Sequence, residues 1–267
     1  MSPEHEKHKV WRYRDGSPAE VVRDDVAREE PLEIRVAGRS IGVTMRTPGH
    51  DDELALGFLV GEGVISGPAD VRHVRRCDRA AGDSIEVLLD ERVRVDFARL
   101  TRHVFASSSC GVCGATTIEA VRGLFPPVAE GLRVARGVVA GMPEALRSHQ
   151  TTFDLTGGLH GAALFRVHGE LVVAREDVGR HNAVDKVIGH MMRAGVWPLA
   201  DLVLMVSGRV SFEIVQKALA AGVQMVAAVS APSTLAVELA EEGNLTLVGF
   251  LRPGRFNAYT HVHRITE

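Results

Sequence analysis

The densest chemistry in this chain lies in Ser107-Ser108-Ser109-Cys110-Gly111-Val112-Cys113-Gly114. Two cysteines separated by two residues can ligate zinc, form a redox dithiol, or supply a nucleophile with a neighbouring thiol. A structural zinc site needs about four ligands, and no second CxxC or HxxxH completes one here. Cys77 and a histidine could do so, but no spacing points to them. A thioredoxin-like site needs the pair directly after a buried strand, whereas a triple serine precedes it. What remains is a thiol on a Gly-flanked loop ahead of a helix, whose unpaired amides favour the thiolate. Such a thiolate suits handing a group between two sites. The bland alternative is a pair of inert, buried cysteines, which the Ser and Gly flanks argue against.

Three further groups of residues could meet a ligand. Thr156-Gly157-Gly158-Leu159-His160-Gly161 allows close backbone approach beside a histidine, or is a tight turn with a capping histidine. Glu176-Asp177-Val178-Gly179-Arg180-His181-Asn182 opens a helix. It reads as an anion or ribose site, or as capping with an ion-pair network. His181 and Asp185, four apart, share a helix face, so Asp185 could orient the imidazole. The third group repeats one position: Ser207-Gly208-Arg209, Ser230-Ala231-Pro232-Ser233 and Arg252-Pro253-Gly254-Arg255 each follow an apolar run. Open α/β sheets bind ligands beyond the carboxyl ends of their strands, and hydroxyls with arginines at three such loops suit a phosphate-bearing ligand. Neither a Walker A motif nor GxGxxG is present, which disfavours a standard ATPase or dinucleotide fold.

The elements around these residues follow from periodicity. Residues 1 to about 17 read as a flexible polar tail. Leu32–Val36 and Ile41–Met45 alternate as a hairpin, a helix opens at Asp51, and Val71–Arg76, Ser84–Leu89 and Val93–Phe97 read as short strands. Residues 18–100 are thus a mostly β subdomain, followed by the CxxC loop over 101–115. A helix is predicted from Thr116, with Glu119 at capping-box spacing and Pro126-Pro127 as its stop. Residues 116–267 form an α/β subdomain. Ala162–Val167 and Glu170–Ala174 make a hairpin, and a helix runs from about Asn182 to Arg193. Strands Leu202–Val206, Val223–Val229 and Leu245–Leu251 alternate with helices Phe212–Ala221 and Thr234–Glu242. Continuous apolar strands between amphipathic helices mark a sheet covered on both faces.

Composition bounds the function classes. The 267 residues are 45% hydrophobic, enough for a full core, and the formal net charge is −3. A pI near 6.5 does not suit a generic nucleic-acid binder. No apolar stretch approaches the roughly 20 residues of a membrane span, and the charged N-terminus lacks the apolar core of a secretory signal. Three cysteines favour reduced thiols over a disulfide scaffold. The expectation is a cytoplasmic protein with no nucleic-acid or membrane partner and no permanently bound metal.

Seven ordered segments resemble the formate dehydrogenase accessory sulfurtransferase family (FdhD). They are TPGHDDELALGFLVGEGVI, SSSCGVCG, TGGLHGAALF, EDVGRHNAVDKVIG, SGRVSFEIVQKA, SAPSTLAVELAEE and VGFLRPGRFNAYTH, spanning about Thr47 to Thr260. The resemblance implies a cytidine-deaminase-like fold in the C-terminal part, without deaminase chemistry. His160-Gly161-Ala162 lacks the Glu of an HxE pattern, and no proline precedes Cys110. It further implies a homodimer and a persulfide sulfurtransferase. Cys110 would receive sulfur from a cysteine desulfurase, with Cys113 as partner. The sulfur would pass to the molybdenum cofactor of formate dehydrogenase, the bis(molybdopterin guanine dinucleotide) form. The family's cofactor-binding stretch falls on Phe250, Leu251, Arg252, Pro253, Gly254 and Arg255. Ser207, Arg209, Ser230, His160, Arg180 and His181 join it as binding candidates on geometry. Two rival readings are a non-catalytic chaperone of the cofactor or dehydrogenase, and a zinc-stabilised nucleotide-binding module.

Overall fold

Residues that pair across strands without being buried build the first element of the chain. The computed structural model describes residues 4–79, 82–97 and 124–267; Cys110, Cys113 and the helix expected from Thr116 lie outside the described residues. β1 (His5–Arg14) pairs antiparallel with β2 (Ser17–Ala27), turning at Gly16 with φ +74°. The tail expected here is therefore a ribbon. Its strands are joined by cross-strand pairs such as Val10–Val22 and Trp11–Val21, and by the Arg12–Asp24 and Arg14–Glu20 ion pairs.

β3 (Glu30–Val36) and β4 (Arg39–Arg46) turn through Ala37 and Gly38, both at positive φ, which matches the twist of a two-residue hairpin. Leu32, Ile34 and Val36 face the core at no more than 1% exposure. α1 (Asp51–Gly61) follows, with Asp51, Asp52 and Glu53 complementing its positive end. β5 (Val71–Arg79) and β6 (Gly82–Leu89) complete a sheet of order β4-β3-β6-β5, with β3 and β6 parallel. Val93–Phe97, expected as a strand, is not one. Asp90 accepts from the Arg92 backbone and guanidinium and turns the chain away, and Phe97 packs against the core.

Three elements come next that periodicity did not flag: β7 (Val134–Ala135), α2 (Arg136–Arg147) and α3 (Thr151–Thr156). α2 buries Val139, Met142 and Leu146, a helical stripe obscured in the sequence by Gly137, Gly141 and Pro143. β8 (His160–Arg166) and β9 (Leu171–Asp177) form the expected hairpin, and α4 (Arg180–Arg193) follows. β10 (Leu202–Val206), α5 (Phe212–Ala220), β11 (Met225–Ala228), α6 (Thr234–Glu242) and β12 (Thr246–Arg252) then alternate as expected. The chain turns back at Gly254 into β13 (Arg255–Ala258), and β14 (Ile265–Thr266) pairs with β7.

The resulting six-stranded sheet has order β13-β12-β11-β10-β8-β9, with β10, β11 and β12 parallel. One of its faces, through Phe165, Met205 and Val248, packs on α2. The other, through Leu164, Leu204 and Leu247, joins α4, α5 and α6 in a core shared with α1 and the four-stranded sheet. α1 and α4 cross closely because each presents a glycine at the contact. A Cβ on Gly57 would stand 2.0 Å from the Asp185 carbonyl oxygen, and one on Gly189 would stand 1.9 Å from that of Glu53. No helix among the described residues is long and apolar enough to cross a membrane.

Candidate functional site

Strand direction gathers most of the candidate residues at one edge of the larger sheet. β10, β11 and β12 are parallel and end together, while β8 begins beside the end of β10, where Val206 pairs with Ala162. β9 ends there too, His160 pairing with Asp177. The strand order places His160 three strands from β12. At about 4.8 Å per strand the edge is therefore roughly 14 Å wide, enough for an elongated ligand.

The floor of this edge is tied together by backbone bonds. Ser207 donates its amide to the Gly161 carbonyl, and its hydroxyl accepts from the Gly161 amide, both at 2.9 Å. Val210 and Ser233 link the loops after β10 and β11: the Val210 amide donates to Ala231, and the Ser233 amide donates to Val210. The Ser230 carbonyl accepts from the Phe250 amide at 3.1 Å, extending the link to β12. Ser233 is also the N-cap of α6, its hydroxyl accepting from the Ala236 amide, so that hydroxyl acts locally.

Phe250 lies at a bulge between Gly249 and Arg252, with φ +52° and 47% exposure. A non-glycine residue in the left-handed region is uncommon, and here it turns an aromatic ring outward at the end of a central strand. Leu251 is fully buried in the core and offers a ligand only its backbone. The Arg252 guanidinium donates to the Val229 and Leu251 carbonyls, at 2.6 and 2.8 Å. Pro253 and Gly254 form the exposed hairpin turn beyond it, and Arg255, also exposed, opens β13.

At the other end, Gly208 is bracketed by His160 and Arg180. A Cβ there would lie 3.4 Å from His160 Nδ1 and 3.7 Å from the Arg180 side chain. Arg180 Nε is buried and has no acceptor among the described residues. Burial lowers the His160 pKa, and the Arg180 and Arg209 charges add to that effect, so its imidazole is neutral near pH 7. Neutral imidazole, an unsatisfied guanidinium N–H and the exposed Arg209 make this end suited to an anionic group.

The Glu176–Asn182 segment divides its labour. Glu176 accepts from the Thr152 and Phe153 amides, and burial raises its pKa. Asp177 is fully buried against Lys186 Nζ at 2.7 Å, and also accepts from the Thr47 and Gly179 amides and the Asn182 side chain. These acids hold structure, leaving Arg180 and His181 to face the edge. The expected His181–Asp185 pairing is replaced. Asp185 is bonded to Lys217 Nζ at 2.7 Å, and burial pushes its pKa up to about 6. His181 Nε2 instead meets the Ser211 hydroxyl at 3.0 Å, with Glu213 at 3.8 Å. Ser211, Glu213 and Lys217 did not emerge from the sequence reading, although Ser211 stands where an N-cap before an apolar helix is expected.

Burial first, then Lys217 and Arg180, brings the His181 pKa down to about 4. An unfolded histidine takes up its proton near pH 6.5. The stability His181 contributes is therefore full above pH 6.5 and lost as pH falls toward 4, by up to about 3 kcal/mol. Asp185, whose unfolded pKa is near 3.9, acts oppositely over an overlapping window. The difference between wild type and His181→Gln isolates the histidine. Urea unfolding across this window should show the variant losing about 2–3 kcal/mol less than wild type on acidification. Parallel pH profiles for the two proteins would contradict the assignment.

A separate polar cavity of about 140 Å³ adjoins the β9 end of the sheet, lined among others by Glu4, Thr47, His50, His149, Glu176 and Lys186. Cys77 is a partly buried free thiol on β5, an edge strand of the smaller sheet, away from this arrangement in the strand order.

Comparison with known proteins places this geometry in a family. A protein from Mycolicibacterium paratuberculosis named Sulfur carrier protein FdhD is 52% identical over 89% of this chain and 90% of its own length. A Nocardia farcinica protein of the same name is 50% identical over 93% and 91%. The crystal structure of a protein described as a formate dehydrogenase accessory protein from Desulfotalea psychrophila superposes with a TM-score of 0.81. It is 26% identical, and the match covers 99% of this chain and 100% of that one. The FdhD/NarQ family model matches residues 27–266, and the chain belongs to the FdhD/NarQ family.

Proposed function

We propose that this protein is a sulfur carrier in the maturation of formate dehydrogenase, with Cys110 as the carrying thiol. The observation that supports it most is the 47–52% identity, over about nine-tenths or more of the chain, to proteins named as sulfur carriers. The described site adds chemistry suited to a phosphate-bearing client at the sheet edge. In the first step the Cys110 thiolate attacks the terminal sulfur of a cysteine desulfurase persulfide. The donor leaves as its thiolate, and Cys110 holds the sulfur as a persulfide. Cys113 is its partner in relay or release. Attack of its thiolate on the inner Cys110 sulfur would expel sulfide and leave a disulfide, which a thiol reductant must then reopen.

The acceptor is the molybdenum cofactor in its bis(molybdopterin guanine dinucleotide) form, bound as a substrate. Phe250 offers an aromatic face to a base. Arg252, Arg255, Arg209 and Arg180 offer charge to the phosphates, while Ser207, Ser230, His160 and His181 line the ground between them. Arg252 would have to leave its two carbonyls to reach a phosphate, so Arg180 and Arg209 are the readier donors.

Intact mass after incubation with a cysteine desulfurase and cysteine tests the carrier role. Wild type should gain one sulfur mass, and Cys110→Ala should lose the adduct together with at least about a hundredfold of formate dehydrogenase activation, the cost of removing a covalent nucleophile. Cys110→Ala that still activates the dehydrogenase would favour a binding chaperone instead.

A further inference from the structure

The polar cavity beside β9 takes no part in the chemistry of the sheet edge, yet two cations and two carboxylates line it. The cations are engaged elsewhere. Lys186 Nζ donates to Asp177 and to the Thr47 and Glu176 backbone carbonyls, at 2.7, 3.0 and 3.3 Å, which uses its three N–H groups. Arg175 holds both oxygens of Glu53, at 2.7 and 2.9 Å, and the Ala174 carbonyl. Each cation therefore answers a buried carboxylate that lies outside the cavity lining.

The two carboxylates of the lining have been brought together instead. Glu176 makes no ion pair among the described residues, and its oxygens accept from the Thr152 and Phe153 amides at 2.9 and 2.8 Å. Glu4 Oε2 accepts from the Thr152 hydroxyl at 2.7 Å, so both acids are pinned on one threonine. Burial raises the Glu176 pKa, and the Glu4 charge adds to that effect. The imidazoles supply further acceptors. Burial first, then the Arg175 charge, lowers the His50 pKa, so its ring is neutral near pH 7. His50 Nδ1 faces Glu53 at 3.5 Å, which leaves Nε2 to accept. His149 Nδ1 donates to the Ala145 carbonyl at 2.9 Å, with Nε2 again the nitrogen left over. Pro48 and Leu159, both buried, give the same cavity an apolar wall.

A cavity rich in acceptors on one side and hydrocarbon on the other fits a ligand that donates from one end and is apolar at the other. Its volume of about 140 Å³ suits a molecule of about six heavy atoms, the size of benzene. No three histidines or acids converge as a metal site among the described residues. An N–H donor meets its acceptors at about 2.8–3.0 Å rather than the roughly 2.1 Å of a metal bond, and so suits groups spaced more widely.

We propose that this cavity binds a short alkylammonium group, its N–H donors shared between Glu4 and Glu176 and its carbon chain lying against Pro48 and Leu159. The ligand supplies the counter-charge that Lys186 and Arg175, held by Asp177 and Glu53, do not. This assignment goes beyond the sulfur-carrier reading and does not depend on it.

NMR titration of the isotopically labelled full chain with propylammonium chloride, at constant chloride, tests it in the roughly millimolar range expected of so small a ligand. Wild type should show saturable shifts with propylammonium and none with tetramethylammonium, which carries the same charge without an N–H. β-Alanine, whose carboxylate would face the two acids, should bind at least about tenfold more weakly. Glu176→Gln and Glu4→Gln should each weaken propylammonium at least about tenfold by removing a charge-assisted bond. Thermal unfolding reports whether each variant is intact, and Glu4→Gln, which keeps an oxygen for Thr152, carries the test if Glu176→Gln unfolds. Nα-acetyl-lysine methylamide separates the two sources of such a group. Tighter binding than propylammonium assigns it to a partner protein's lysine, and weaker binding to a free amine. No saturable shift with wild type, equal binding of tetramethylammonium, or an affinity unchanged in both variants would overturn the proposal.

Discussion

Gly189→Ala should lower the melting temperature by roughly 10 °C and sharply reduce the yield of folded protein. The added methyl would stand 1.9 Å from the Glu53 carbonyl oxygen, against backbone of α1 rather than a side chain able to turn away. Relief requires the two helices to separate, and α1 is the layer through which the smaller sheet packs on the larger. Overpacking a well-filled core costs about 1–3 kcal/mol, and a backbone clash at a helix crossing belongs at or above the top of that range. For a chain of this size each kcal/mol moves the midpoint by roughly 2–4 °C. Gly57→Ala should behave alike, since its Cβ would meet the Asp185 carbonyl at 2.0 Å. Gly141→Ala on α2 is the control, because nothing lies within 4 Å of its Cβ. It should leave the midpoint unchanged or raise it slightly. Calorimetry on the three variants decides the matter, and equal midpoints would show that the crossing relaxes without cost.

Asp177→Ala should be nearly as damaging, for an electrostatic reason. Its carboxylate is fully buried and meets Lys186 at 2.7 Å while accepting from two amides and the Asn182 side chain. Removing it leaves a buried ammonium with the Thr47 and Glu176 carbonyls as its hydrogen-bond partners among the described residues. Breaking one side of a buried ion pair typically costs about 3–5 kcal/mol. Asp177→Asn should cost less, since the amide oxygen can still accept. Asp177→Ala combined with Lys186→Met should recover part of the loss, because the stranded charge is then gone. Urea midpoints for the single and double variants measure the coupling. A loss under about 1 kcal/mol for Asp177→Ala would mean that water reaches Lys186 and screens it.

The parallel half of the fold was readable because burial writes itself into sequence. Leu202–Val206 is apolar throughout since both faces of β10 are covered, and its bounds agree between sequence and structure. The ribbon was not readable for the converse reason: with both faces largely exposed, β1 and β2 have no apolar alternation to show. α2 hid behind Gly137, Gly141 and Pro143, which local propensity counts against a helix although Val139, Met142 and Leu146 share one buried stripe. Val93–Phe97 has strand-forming residues, but the Asp90 turn decides the path.

The candidate site was legible where it depends on topology, because the ends of parallel strands must coincide. The partners of its charges were not. Asp177 and Asp185 look equivalent in sequence, yet one is held by Lys186, nine positions on, and the other by Lys217, thirty-two positions on. Only the packing of α4 against β9 and α5 separates the two.

The backbone links among Gly161, Ser207, Val210, Ala231, Ser233, Ser230 and Phe250 have a consequence for motion. They join loops from four strands into one hydrogen-bonded lattice, so the floor of the edge opens to solvent as a bloc or hardly at all. The amides of Ser207, Val210, Ser233 and Phe250 should exchange with deuterium at a common rate, and an anion held at the Arg180 end should slow exchange at Phe250, three strands away.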